Sequence, residues 1–211
     1  CLMITGTGRA FCAGGDVRVM TGEQKPAAVR ERLAVSHEGW VRHLLLGEKP
    51  VVTAVNGAAA GAGFALAMMG DLVVASGSAY FLAGFASVGA VADLGLAATL
   101  PRAVGVTRAK EILFGNARVT AARAEQIGMV NRVFDDTDFH DQATAYAMAL
   151  AEAPTIGLGL TKTLIRQAYD TDLGTLMQNE AAMQVLAFAT EDRAEGAAAF
   201  LERRKPVFKG R

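Results

Sequence analysis

The stretch VVTAVNGAAAGAGFALAMMGDLVVAS, residues 51–76, constrains the fold of this chain more than any other segment. Val51–Val55 is a short β-branched run bounded by Pro50 and Gly57, the signature of a strand buried in a core. Residues 63–70 are rich in Ala and Met and read as helix, and DLVVAS returns to strand. The junction between the first strand and the helix, residues 56–62, is almost bare of side chains. Strand, bare loop, helix and strand in such quick succession belong to an α/β fold.

The pattern recurs upstream. Leu2–Thr5 is an apolar run that ends in the glycine-rich GTGRAFCAGGD, and residues 26–46 read as helix, with Val29, Leu33, Trp40, Leu44 and Leu45 spaced along one face. Downstream, AYFLAGF is a further strand after the turn residues 76–78. From Asp93 onward helices dominate, with Gly115 and Gly128 placed as C-caps and MVNRVF as a short strand. Near the end, Thr190 is a candidate N-cap. Glu191 and Asp192 fall in the first turn, and Arg203, Arg204 and Lys205 are expected in the last turn before Pro206. The opening CLMITG reads as a strand already under way, so an N-terminal part is expected to be missing. The expected division is 1–134 as an α/β core and 135–211 as a C-terminal helical region.

Composition narrows the function. With 21 basic and 21 acidic residues the formal net charge is zero, and no basic block invites nucleic acid. No apolar run reaches the roughly 20 residues that span a bilayer, so no membrane role is expected. Two cysteines, Cys1 and Cys12, and three scattered histidines supply neither a disulfide framework nor metal-ligand spacing, which suits a cytoplasmic protein without a metal.

Both glycine-rich loops, CAGGD (12–16) and GAG (61–63), sit where a strand gives way to a loop or helix and backbone N–H groups lack partners. Phosphate is one possible ligand, but GAGFAL lacks the Lys-Ser/Thr of a P-loop and neither loop has G-x-G-x-x-G spacing. A carbonyl oxygen that gains charge during reaction is another, held by two N–H donors in an oxyanion hole. The plainer alternative is that small residues merely let helix and strand pack tightly.

Three segments in order, GRAFCAGGDVRVM, KPVVTAVNGAAAGAGFALAMMGDLVVAS and LPRAVGVTRAKEILFGNARVTAARAEQIGMVNRVF, resemble the successive signatures of the enoyl-CoA hydratase/isomerase (crotonase) superfamily. The resemblance runs nearly the whole chain, to FLERRKPVFKG. It implies a repeated ββα spiral with a C-terminal helical region, assembly as a homotrimer or a pair of trimers, and an acyl-CoA thioester as substrate with no separate cofactor. It places the oxyanion donors on the backbone N–H groups of Gly15 and Ala62, the latter where glycine is commoner. It also implies that Gly15, Asp16, Val17 and Arg18 line the CoA, that Arg18 meets a phosphate or stays solvated, and that Ala60, Gly61 and Phe85 border the thioester and acyl group.

The departures bear on the chemistry. The resemblance puts the two glutamates of the hydratases at Ala65 and Phe85, neither of which can move a proton, so hydration by that route is not expected. One acid remains nearby, Asp93 in GAVADLGLAATLPR, where isomerases of the superfamily keep an aspartate; the epoxyphenylacetyl-CoA isomerases of phenylacetate breakdown are the branch most similar in pattern. A single carboxylate can take a proton α to the thioester and return it at the γ carbon. Apolar neighbours Phe85, Val91, Leu94 and Leu96 would raise its pKa. Asp93 also reads as an ordinary helix N-cap, a role worth ~0.5–2 kcal/mol. Three other readings stay open: a hydratase by overall similarity, an aromatic acyl-CoA dehalogenase in which His37 assists Asp93, and an acyl-CoA-binding trimer without turnover. Asp71, Glu38 and Glu48 read as structural or solvated, and Asn56 as a turn residue.

Overall fold

The computed structural model describes residues 1–16, 18 and 25–211; Val17 lies outside the described residues. The strands come in pairs, and each pair sends one strand to each of two sheets. Strands β1 (Leu2–Thr5), β3 (Val51–Val55), β5 (Leu72–Ser76) and β8 (Arg132–Phe134) form one sheet in the order β1-β3-β5-β8. Strands β2 (Ala10–Cys12), β4 (Ala58–Ala60), β6 (Tyr80–Leu82) and β7 (Val119–Thr120) form the other, in the order β2-β4-β6-β7. The β3–β5, β5–β8, β2–β4 and β4–β6 pairs are parallel, and β7 closes antiparallel on β6.

In the first three pairs the chain turns from one sheet to the other over two to four residues, with a glycine in each corner. Gly57 joins β3 to β4, and a Cβ there would lie 2.3 Å from the Arg9 carbonyl oxygen. Asn56 secures the same corner: its Oδ1 accepts from Gly6 N–H at 3.0 Å and its Nδ2 donates to the Gly8 carbonyl at 3.0 Å. It is thus more than the turn residue read from sequence, since it ties two strand pairs together. Every residue of β3 is buried, as its unbroken β-branched run predicts. The one polar member, Thr53, donates its hydroxyl to the Ala67 carbonyl at 2.6 Å, so its burial leaves no orphan. Asp71 is structural, as expected, with a carboxylate oxygen 2.8 Å from Val51 N–H.

The helix expected over 26–46 forms in three pieces: α1 (Pro26–Ser36), one π turn (His37–Val41) and α2 (Arg42–Leu46), with a break at Gly39 (ψ −118°). After β4 comes α3 (Ala62–Ala67), and after β6 a 3₁₀ turn (Ala86–Val88), α4 (Leu96–Val104) and α5 (Val106–Gly115). Gly128 takes the left-handed position after α6 (Ala121–Gln126), as predicted, but at the end of α5 that role belongs to Asn116 (φ 51°), not Gly115. Asn tolerates this conformation, and in it the Asn116 side chain accepts from Gly84 N–H at 2.6 Å and donates to the Ser87 hydroxyl.

The backbone divides into two compact units. One comprises Met3–Leu45 and Val51–Thr144; the other comprises Cys1–Leu2, Leu46–Pro50 and Ala145–Arg211. The latter is built from the end of α7 (Phe139–Ala151), then α8 (Thr155–Gln167), α9 (Leu173–Phe188) and α10 (Glu191–Glu202). Thr190 caps α10 as expected, accepting from Arg193 N–H at 3.1 Å. The basic last turn does not form: the helix stops at Glu202, Arg203 turns left-handed at φ 55°, and Arg204 grips Glu195 and Glu202. Salt bridging outcompetes the weaker pull of the helix dipole here, and the hydrogen-bonded Arg204 guanidinium holds the Glu195 carboxyl down at about 2.

Asp192, only 3% exposed, fastens the chain end. Its carboxylate accepts from Lys209 N–H at 2.6 Å and Gly210 N–H at 2.8 Å. Asp192→Ala is expected to destabilise this unit by about 1.5–3 kcal/mol, because two donors lose a charged partner. Urea unfolding reads the loss, and faster amide exchange of residues 207–211 locates it; unchanged exchange there would rule the clasp out.

Candidate active site

The two bare loops read from sequence come together, and Gly14 marks where. A Cβ built on Gly14 would lie 2.6 Å from the Ala60 carbonyl oxygen and 3.3 Å from the Ala62 nitrogen. With its φ of 92°, the position excludes other residues both by conformation and by space. Gly63 brings the same loops together from the other side: its Cβ would meet the Cys12 carbonyl oxygen at 2.0 Å. Gly61 (φ 52°) makes the turn from β4 into α3 and gives its own N–H to the Leu82 carbonyl at 3.0 Å. The N–H groups of Gly15 and Ala62 meet no described acceptor, the latter because it opens a helix. The plain packing reading accounts for Gly57, Gly63 and Gly14, while the N–H groups of Gly15 and Ala62 are left without an acceptor.

The third wall is the segment after β6. Gly84 (φ 74°) approaches Gly61, with its Cβ position 3.9 Å from Gly61 N. Phe85 follows and is buried, as is Ala65 on α3. Asp16 and Arg18 lie on the surface and pair with each other, Arg18 Nη2 2.8 Å from Asp16 Oδ2 and Nε 3.0 Å from Oδ1. The Arg18 hydrogen bonds hold the Asp16 carboxyl below its ordinary range.

Asp93 does not cap α4 with its side chain, contrary to the plainer sequence reading. Its main-chain carbonyl takes the Leu96 N–H instead, at 2.9 Å, across a turn with Leu94 at φ 49° and Gly95 at φ 82°, ψ 0°. Both central residues are left-handed, the geometry of a type I′ turn, which normally selects Asn and Gly. A buried Leu in the first of these positions stores strain of about 1–2 kcal/mol. The Asp93 carboxyl is left half-buried, and its Oδ1 is buried with no hydrogen-bond partner. Burial pushes its pKa up, while its own amide and the charge of His37, from the π turn, pull it partly back. Of the apolar neighbours expected, Leu94 and Leu96 are buried but Val91 is 81% exposed and contributes nothing.

Two recesses flank these elements. An apolar groove of about 640 Å³ runs along α1 past Val29, Leu33 and Ala34 to His37. A polar recess of about 300 Å³ lies beyond the ends of β3, β5 and β8, at Asn56, Ser76 and Asp136. Asp136 there is committed to the backbone, accepting from Ser78 N–H at 3.0 Å. No cluster of His, Cys, Asp or Glu among the described residues could hold a metal, and no described helix is long and apolar enough to cross a membrane.

Two neighbouring loops with open backbone donors, and a half-buried carboxyl with one unpartnered oxygen, invite comparison with known proteins. A sequence model of the enoyl-CoA hydratase/isomerase family matches residues 1–211. This chain belongs to that family. Among characterised relatives, 1,2-epoxyphenylacetyl-CoA isomerase of Escherichia coli K12 is 41% identical over 216 residues, covering all of this chain and 81% of the relative. The 2,3-dehydroadipyl-CoA hydratase of the same organism is 34% identical over 209 residues, covering 99% of this chain and 80% of its own length. Among solved structures, an enoyl-CoA hydratase-like protein from Streptomyces coelicolor A3(2) superposes with a TM-score of 0.92 at 34% identity, covering the whole of this chain and 78% of that one. The α/β fold with a helical C-terminal region expected from the resemblance is therefore the fold of the enoyl-CoA hydratase/isomerase family. As a member of that family the chain is an acyl-CoA enzyme.

The turn at Leu94–Gly95 and the Asn116 clamp escaped sequence reading. A Gly two residues after Asp93 was the available signal for the turn; nothing in the sequence marks Leu94 as left-handed.

Proposed function

We propose that this enzyme moves a double bond within an enoyl-CoA, using Asp93 as its single proton shuttle. In this reading the thioester carbonyl oxygen is held by the N–H groups of Gly15 and Ala62. The ionised Asp93 removes a proton from the carbon α to the thioester of a 3-enoyl-CoA. The electron pair moves into a dienolate, whose oxygen charge the two N–H groups stabilise by about 2.7–4 kcal/mol per donor. Protonated Asp93 then returns the proton at the γ carbon, giving the conjugated 2-enoyl thioester and restoring the carboxylate. Asp16 and Arg18 would border the CoA, Ala60 and Gly61 the thioester, and Phe85 the acyl end; CoA enters as substrate and no separate cofactor takes part.

The observation that carries the reading is the buried, unpartnered Oδ1 of Asp93, a carboxyl held ready and given no structural task. The name of the 41%-identical isomerase supports it. A hydratase reading rests on other relatives, but the positions the sequence resemblance assigns to that chemistry are an alanine in the core and a buried phenylalanine. The test is ultraviolet absorbance with a 3-enoyl-CoA and, separately, hydration of a 2-enoyl-CoA. Conjugation without hydration is expected; rapid hydration would overturn the reading.

The enzyme is further proposed to work as a self-associated trimer. Helix α9 has no buried residue, yet presents Leu173, Met177, Val185, Leu186 and Phe188 to solvent. Large apolar side chains this exposed along one helix mark a surface that meets a partner. Sedimentation should give an oligomer that Leu186→Glu shifts toward monomer; a monomeric wild type would dismiss the idea.

A further inference from the structure

The turn at Leu94–Gly95 sits at the head of α4 and decides what Asp93 can do. Asp93 stands three residues before Leu96, the spacing at which an N-cap carboxylate accepts the N–H of the third helical residue. That bond is made here by the Asp93 main-chain carbonyl. The carbonyl takes this bond across a turn in which Leu94 and Gly95 are both left-handed, at φ 49° and 82°, so the helix does not start at Leu94 and Asp93 does not become its N-cap. Two contacts keep both residues left-handed. The Leu94 side chain is buried in the main apolar cluster, and Gly95 lies against Leu45 of α2, where a Cβ would stand 3.0 Å from Leu45 Cδ1.

We infer that the type I′ turn at Leu94–Gly95 is a positioning device that hands the capping of α4 to the Asp93 backbone and thereby frees the Asp93 carboxyl for chemistry. Strain of this kind persists only where the surroundings over-determine it, and it gathers at functional sites. A right-handed turn would be less strained and would draw the carboxylate onto the Leu96 N–H, where a hydrogen bond to the charged form lowers its pKa and takes it out of use. Leu94 and Gly95 act through Asp93 and need not touch the substrate. His37 is the ionisable group whose charge bears on this carboxyl from the facing helical stretch. The inference rests on Asp93 being the proton shuttle.

Leu94→Pro tests it. Proline fixes φ near −65°, forbids the left-handed turn and suits the first position of a helix, so the variant should install Asp93 as a side-chain cap. Leu94→Gly is the control: it loses the same buried side chain but permits the left-handed turn. The readout is the titration of the Asp93 carboxyl by carbon-13 NMR of aspartate-labelled enzyme, assigned with Asp93→Asn, alongside steady-state kinetics. In Leu94→Pro the titration should move from above the ordinary carboxylate range to below it, and kcat should fall about 10²-fold with KM within about twofold. In Leu94→Gly both should stay closer to wild type than in Leu94→Pro, because glycine adopts the left-handed turn without the anchoring side chain. Gly95→Ala, whose added methyl faces only the mobile end of Leu45, should shift both in the direction of Leu94→Pro and serves if that variant does not fold. An Asp93 titration that is the same in Leu94→Pro and Leu94→Gly, or in Gly95→Ala and wild type, would overturn the inference. The titration is read without turnover, so an enzyme inactive on 3-enoyl-CoA would count against the proposed reaction while the turn is still tested.

Discussion

Asp93→Asn is expected to lower the rate of 3-enoyl-CoA isomerisation by about 10²–10⁴-fold, the usual contribution of a positioned general base. KM should change little, because the thioester would still be held by main-chain donors that the substitution leaves alone. The melting temperature should not fall, and this is the more discriminating half of the prediction. The raised pKa of Asp93 means that its charge is disfavoured in the folded state, so it adds nothing to stability above that pKa. Stability linked to this group is greatest at low pH, where the carboxyl is protonated, and is lost as pH rises through the window between the ordinary and the raised value. At neutral pH the neutral amide therefore removes a cost. For the same reason the acid limb of the wild-type rate should lie at higher pH than an ordinary carboxylate would give, since the base works only when ionised. Rate profiles and thermal melts on the two proteins check both statements. An Asp93→Asn enzyme with full activity would end the one-carboxylate mechanism; one that loses activity only by unfolding would return Asp93 to a structural role.

Gly63→Ala should do the most damage to the fold of any single methyl added near the site. The new Cβ would sit 2.0 Å from the Cys12 carbonyl oxygen, 2.6 Å from its carbonyl carbon and 2.8 Å from its Cβ, and the nearest atoms are backbone that cannot swing aside. Helix α3 would have to back away from β2. Overpacking of this kind costs about 3 kcal/mol or more, which in a chain of this size lowers the melting temperature by about 6–12 °C. Backing away also draws the loop that carries Ala62 from the loop that carries Gly15, so surviving folded enzyme should turn over more slowly even well below its melting temperature. Calorimetry and activity at low temperature separate the two effects. A Gly63→Ala protein with the melting point and kcat of wild type would show that the two loops are not held together at this contact. Gly61→Ala makes a useful contrast: its Cβ would meet nothing closer than 3.8 Å, so its cost comes from the left-handed φ of 52° rather than from space.

Much of the fold and part of the site were legible without coordinates, and the division follows the physics. Buried parallel strands must be continuously apolar, so Val51–Val55 and Leu72–Ser76 could be read directly. An N-cap is a local contact three residues long, and Thr190 was read correctly for that reason. The same local rule failed at Asp93 because a buried Leu94 side chain, anchored by distant parts of the core, overrode it. It failed at Arg203–Lys205 because Glu195, on the previous turns of the same helix, offered Arg204 a better partner than the helix end. Val91 was grouped with the apolar wall because it is close in sequence, and the chain turned it to solvent.

The sequence by itself determined strands β1, β3, β5, β6 and β8, the places where the backbone must be bare, and the absence of a carboxylate at Ala65 and Phe85, since residue type and spacing are enough for these; β2 and β4 lie in stretches that read as loop, and the two-residue β7 has no pattern of its own. Only the tertiary structure decided which glycines are small for packing and which leave a donor open, because that depends on which backbone lies opposite each Cβ position. It also decided that Asp93 is a free carboxyl and not a cap: the handedness of a two-residue turn is set by what Leu94 and Gly95 are packed against, and no local pattern records it.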